Sequence, residues 1–233
     1  MKRLLLATAA FVAASSAFAV GPMTTQSADI LDRGNCDVEG QWGRDNAKLG
    51  AAKFHVTHLG LRADCGVIDG TQIGLVGERI KFQNEKADGL SLVGKTRLWD
   101  DDKVGGKLVL TYGIHGLRQR NLDFDYAASS VGLAYTQTLA EKHKLHANAN
   151  VTIAKGGDST KGWALGYEYA VAPTVSLLAE TYGEEDSKPT QALGVRWAPA
   201  KNWSVGAMVA RPRLDNGING RVTQFNTTAA YRF

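Results

Sequence analysis

The chain has 233 residues, 44% hydrophobic and 21% charged, with 26 Gly, 5 Pro and a formal net charge of +4. Beyond the first residues no apolar run is long enough to span a bilayer as a helix, and no basic run points to nucleic acid. The glycine-rich, proline-poor balance suits many strands better than helices.

The N-terminus reads as an export signal. Lys2 and Arg3 form a basic start, Leu4 to Ala14 an apolar core, and Ala17-Phe18-Ala19 a small-residue cleavage site, which predicts a signal peptide over 1–19. No Cys follows the site, so a lipoprotein anchor is not expected. Lys2 and Arg3 leave with the signal, and the mature chain is then close to neutral. Residues 20–35 are polar and without strand pattern, a periplasmic segment or a plug folded into the interior. Cys36 and Cys65 are the only cysteines. Exported thiols normally pair and their spacing is not a metal pattern, so a structural disulfide is expected, contributing roughly 3–4 kcal/mol on the loop-entropy account.

From there the chain alternates at period two, the mark of a strand with two different faces. Leu145-His146-Ala147-Asn148-Ala149-Asn150-Val151-Thr152-Ile153 is the clearest case, and Trp163, Leu165, Tyr167 and Tyr169 alternate with Ala164, Gly166 and Glu168. The pattern predicts about twelve strands, near 36–43, 52–65, 71–82, 88–99, 106–117, 127–139, 144–154, 162–171, 174–183, 190–198, 203–211 and 222–233. Most have the length of a tilted membrane strand. The second breaks phase at Thr57-His58, read as a bulge.

Tight turns at 100–103, 140–143, 172–173 and 199–202 alternate with longer polar links at 118–125, 155–161, 183–189 and 212–220. Outer-membrane barrels have short periplasmic turns and longer outward loops. An even strand number puts both termini in the periplasm, with Cys36 and Cys65 at the periplasmic ends of adjacent strands. A secreted soluble sandwich or small barrel is the competing architecture. Against it, Trp163, Tyr169, Tyr182, Trp197 and Trp203 sit on the apolar face near strand ends, as at membrane interfaces.

The chain ends Phe225-Asn226-Thr227-Thr228-Ala229-Ala230-Tyr231-Arg232-Phe233. This resembles the terminal strand of bacterial outer-membrane barrels, and the resemblance implies that Phe225, Tyr231 and Phe233 face lipid and serve as the signal read by the barrel assembly machinery. The stretch from Leu193 to Val205 is similar to the penultimate hairpin of small barrels loosely grouped with aromatic-degradation transporters. The fold expected is all-β, a transmembrane antiparallel up-and-down barrel over 36–233.

A barrel of this width has room for a narrow water path. The expected lumen carries Lys95, Arg97, Lys107, Arg196 and Arg232 against Glu168 and Glu180, which either bias the passage of ions and small solutes or pair and close the interior. No cofactor, metal site or enzymatic role is expected. The alternatives are a barrel-wall hydrolase, for which Ser129 or Ser130 near His115 is the one coincidence, and an adhesive surface barrel, disfavoured by short loops. Expected partners are outer-membrane lipid and lipopolysaccharide, periplasmic chaperones and the assembly machinery, with the chain a monomer. If the apolar face meets lipid, the mature protein will need detergent to stay monodisperse. A monodisperse elution profile in plain buffer would overturn the assignment.

Overall fold

The computed structural model describes residues 22–83, 85–119, 123–214 and 220–233; the signal peptide expected over 1–19 lies outside them. The described residues form twelve antiparallel strands. They are β1 (Cys36–Leu49), β2 (Ala52–Ile68), β3 (Thr71–Phe82), β4 (Glu85–Asp101), β5 (Gly106–Gln119), β6 (Asp125–Leu139), β7 (His143–Ala154), β8 (Ser159–Ala172), β9 (Val175–Glu184), β10 (Thr190–Ala200), β11 (Trp203–Arg211) and β12 (Gly220–Arg232). Each pairs with its sequence neighbour, and β1 closes on β12 from Asp37↔Arg232 to Leu49↔Gly220. The result is an up-and-down barrel without an open edge.

Its faces are inverted relative to a soluble protein. Leu193 is 70% exposed on the outer wall and Leu61 60%, whereas Lys95, on the inner face, is 1% exposed. A water-soluble barrel would bury the leucines and hydrate the lysine. The inversion therefore places hydrocarbon outside, as a lipid-spanning barrel requires. At the end holding the termini, Trp203 packs on Tyr231 at 4.9 Å between ring centroids, and Tyr231 stacks on Phe233 at 6.1 Å.

Four expectations are corrected. β1 runs to Leu49 instead of ending near residue 43, turning through Gly50 and Ala51 into β2. The outward turns β1–β2 and β3–β4 are therefore as short as the periplasmic ones, and the alternation of loop lengths belongs to the later hairpins. No register shift occurs at Thr57-His58; the β2–β3 ladder slips only between Gly66 and Ile68. The apparent phase break arises because Phe54 and Val56 take the lumen face at the outward end of β2, where Phe54 stacks on Phe82 at 6.1 Å. Tyr182 faces inward instead of toward lipid. It shares the face of Glu180 in β9, and its hydroxyl donates to Gln224 Oε1 at 3.1 Å. The adjacent Leu177 and Leu178 hide the phase of that strand in the sequence.

Cys36 lies directly opposite Cys65 across β1 and β2, and the two form a disulfide. It staples the first hairpin beside the β1–β12 closure. Reduction, or paired Cys36→Ser and Cys65→Ser substitution, is expected to lower stability by roughly 3 kcal/mol and to bring down the melting temperature followed by circular dichroism. Unchanged melting, or free thiols in protein drawn from the envelope, would contradict it.

Candidate functional site

Strand register sets which side chains meet inside the barrel. Lys95, Arg97, Lys107, Glu168, Glu180, Arg196 and Arg232 all lie on the inner face. Most are held by partners. Arg196 bonds Glu168, Lys107 donates to Asp29 at 3.0 Å, Lys95 donates to the Ser27 carbonyl at 2.9 Å, and Glu180 accepts from residues 24 and 25. Arg97 and Arg232 stand at the periplasmic rim, half-exposed, near Asp100 at 3.3 Å and Asp37 at 3.7 Å.

Residues 22–35 cross this lumen. The backbone amides of Thr24 and Thr25 donate to the Glu180 carboxylate at 3.0 and 2.8 Å, and the Thr25 hydroxyl donates to it at 2.7 Å. Asn148 brackets Gln26, accepting from its amide and donating to its carbonyl. Further on, the Ala28 amide donates to Thr136 at 2.8 Å and the Leu31 amide to Gln72 at 3.0 Å. Two apolar contacts reinforce the path. Met23 buries against Leu178 and Met208, and Ala28 against Val109 and Ala134. Burying a methionine of this kind contributes on the order of 1.5–3 kcal/mol.

The wall is cut back where the segment passes. A Cβ on Gly166 would strike Met23 and Thr25, and one on Gly206 would strike Pro22. One on Gly66 would strike the Leu31 and Asp32 carbonyls. Beyond Gly66 the chain turns at Gly34, whose φ of 85° suits glycine, and enters β1.

The segment leaves space on both sides. On the periplasmic side a cavity of about 300 Å³ is lined by Asp29, Asp37, Arg62, Lys144, His146 and Arg196, among others. On the outward side one of about 340 Å³ is lined by Gln26, Asn148, Asn150, Tyr182, Glu184 and Arg213, among others. Nearer the outward mouth, His58 lies 3.2 Å from Asp45 and 3.9 Å from Glu78. His115 has one ring nitrogen 2.9 Å from Ser130 and the other 2.9 Å from Ser91. The Ser130–His115 pairing is thus real, but a neutral hydroxyl stands where a nucleophile's histidine needs an orienting carboxylate. Ser129 takes the opposite face and meets Tyr126. Among the described residues no group of three His, Cys, Asp or Glu side chains is placed to hold a metal.

Arg62, Asp64, Gln72, Thr136, Lys144 and Asn148 also belong to the site and were not singled out from the sequence, whereas His146 falls on the inner face that its alternation with apolar neighbours indicates. Arg62 and Asp64 form a buried pair; Thr136 bonds His146 at 2.9 Å. The signal was present in the polar phase of β2 and β7, where alternate residues are Arg62 and Asp64, or His146, Asn148 and Asn150. Burial opposes the charge of Asp29, but Lys144, the Ser27 hydroxyl and Lys107 outweigh it and hold the carboxyl far below its ordinary range.

A family model described as "Uncharacterised conserved protein UCP029691" matches residues 5–219. No curated protein matches the chain. Among solved structures, the COG4313 outer membrane channel from Pseudomonas putida F1 aligns with a TM-score of 0.64 at 13% identity, over 89% of this chain and 98% of that one. The NanC porin aligns at 0.59 and 8% identity, over 84% and 98%, and the KdgM porin at 0.56 and 11%, over 83% and 99%. These likenesses establish a shared outer-membrane barrel fold.

Two outcomes follow for the segment. Glu180→Ala removes its charged acceptor, and bonds of this class contribute about 1.5–3 kcal/mol each. Limited proteolysis should then cut within 22–33 on the order of 100-fold faster while the barrel stays intact; unchanged cleavage would show that Glu180 does not hold the segment. A carboxylate lowered by docking adds stability above its free value of 3.8 and loses it as pH falls toward the docked value. The Asp29 share of the protection should accordingly be lost as pH falls below about 4, and Asp29→Asn should remove that share.

Proposed function

The chain belongs to the Uncharacterised conserved protein UCP029691 family, and we propose that it is an outer-membrane passive channel for ions or small polar solutes, closed in this conformation by its own N-terminal segment. The observation that carries this reading is the segment of residues 22–31 laid across the lumen, against Gly166 and Gly206, with a cavity on either side. A lumen built only to hold the barrel rigid would be filled from its walls. Here a separate chain segment does the filling, held mainly by hydrogen bonds that water or a polar solute can replace.

That the structural neighbours are porins and channels supports transport over catalysis. Some of those neighbours, such as the Ralstonia pickettii toluene transporter TbuX, are named for aromatic solutes. The charged inner wall here, with Lys95, Lys107, Lys144, Glu168 and Arg196, favours polar ones. Within the same reading the mature chain begins after the signal peptide, works as a monomer, and is handed by periplasmic chaperones to the assembly machinery. Phe225 and Tyr231 are turned to the outer face, and with Phe233 they would be the feature read there.

Single-channel recording tests the proposal. The refolded mature chain should show a low or intermittent conductance, and a variant lacking residues 22–33 a steady one several times larger. Arg196→Gln in the open variant should shift its preference toward cations. A refolded deletion variant that conducts no ions would overturn the channel reading.

A further inference from the structure

Charge is distributed differently on the two sides of the wall at the outward end. On the outer face, Arg221, Lys48 and Lys53 lie directly opposite one another on β12, β1 and β2. Nearer the bilayer, Arg44 and Lys81 flank Thr57, and Lys81 faces Lys86 on β4. All six side chains are exposed, and none forms an ion pair among the described residues. The next row brings Trp42 and Leu59 on β1 and β2, the start of the apolar belt, and the Arg79–Asp88 ion pair on β3 and β4. On the far wall the corresponding lysines are compensated: Lys155 pairs with Asp125, and Lys161 with Glu185 at 2.9 Å.

Like charges directly opposite on neighbouring strands repel and weaken the ladder. Strands sit about 4.8 Å apart, so the Arg221, Lys48 and Lys53 heads crowd into a strip only about 10 Å wide. The far wall shows that this fold can place a carboxylate beside a rim lysine. Over β12–β4 the outer face does carry Asp88, but it is already held by Arg79 and Arg118, which leaves the six rim charges as a positive surface whose counter-charge comes from outside the chain.

We propose that the outer wall of β12–β4 at the outward rim binds the phosphate groups of phosphorylated outer-leaflet lipid. This rests on the outer-membrane reading above, with both termini periplasmic. The height fits: the basic rows stand directly over the apolar belt, where head groups meet the acyl region. So does the chemistry, since long basic side chains lay their stems along apolar surface and lift their charges to the interface. A free anion has no reason to prefer this height or this side of the barrel; a lipid whose chains cover Trp42 and Leu59 has both.

The test uses the refolded mature protein in phosphatidylcholine vesicles doped with diphosphoryl lipid A or with its dephosphorylated form. The phosphorylated lipid should raise the unfolding midpoint and the dephosphorylated form should not, with the shift falling as salt rises. The triple variant K48Q/K53Q/R221Q should lose the shift and retain lipid A about 100-fold less well. K155Q/K161Q on the far wall should behave like the wild type, and K48R/K53R should keep the shift, separating charge from folding. An equal midpoint in both lipids, an undiminished shift in the triple variant, or the same shift from inorganic phosphate in plain vesicles would each overturn the proposal. Failure of the wild type to insert into any vesicle would instead overturn the outer-membrane reading on which it rests.

Discussion

The structure depends on one requirement: inside a bilayer every backbone amide and carbonyl needs a partner within the protein. A sheet meets it only by closing on itself. β1 and β12 do so in unbroken register from Asp37↔Arg232 to Leu49↔Gly220. The disulfide sits one residue beyond that seam, where the chain first enters the wall, and ties β1 to β2. Once the ring is closed, period-two alternation separates the two faces completely, and each faces a different solvent.

Closure at twelve strands also creates the central problem of the fold. Eight strands leave an interior that side chains can fill; twelve leave more. Here residues 22–35 occupy part of that space and leave a cavity on either side. The segment is also an electrostatic part of the wall, since Lys95, Lys107 and Glu180 all find partners on it. An enclosed charge without a partner costs several kcal/mol, so buried Lys95 and Glu180 rely on the segment for their bonds. If the segment leaves, water or solute must take over those bonds. In the proposed open channel the same side chains would remain as wall charges.

The barrel was legible in the sequence because alternation is local. Each strand announces its two faces, and the terminal Phe225, Tyr231 and Phe233 announce which one meets lipid. Errors came where chemistry does not follow the face. Beyond the apolar belt Phe54 and Val56 turn inward without penalty, which imitates a bulge. Around Leu177 and Leu178 two adjacent apolar residues conceal the phase, which misplaced Tyr182. The site was less legible for a different reason. Lys95, Glu168 and Glu180 could be placed on the inner face, but their partners are more than a hundred residues away in the case of Thr25 and Glu180, and no periodicity encodes that pairing. Residues 22–35 carry no pattern of their own because an irregular segment whose backbone bonds to side chains needs none.

The glycines show that wall and segment form one design. Gly66, Gly166 and Gly206 lie on different parts of the sheet, and a methyl group at any of them would collide with the segment. A strand interior gains nothing from glycine, which packs no surface and adds flexibility to the unfolded chain. Their cost is explained if the lumen is shaped around a chain that passes close to the backbone. The charges argue the same way from both faces. In the lumen Arg62, Lys107 and Arg196 each have a carboxylate within reach, and for the buried Arg62–Asp64 pair isolation from water leaves no cheaper solution. On the outward rim of β12–β4, water and head groups are at hand, and the basic rows are left without protein partners.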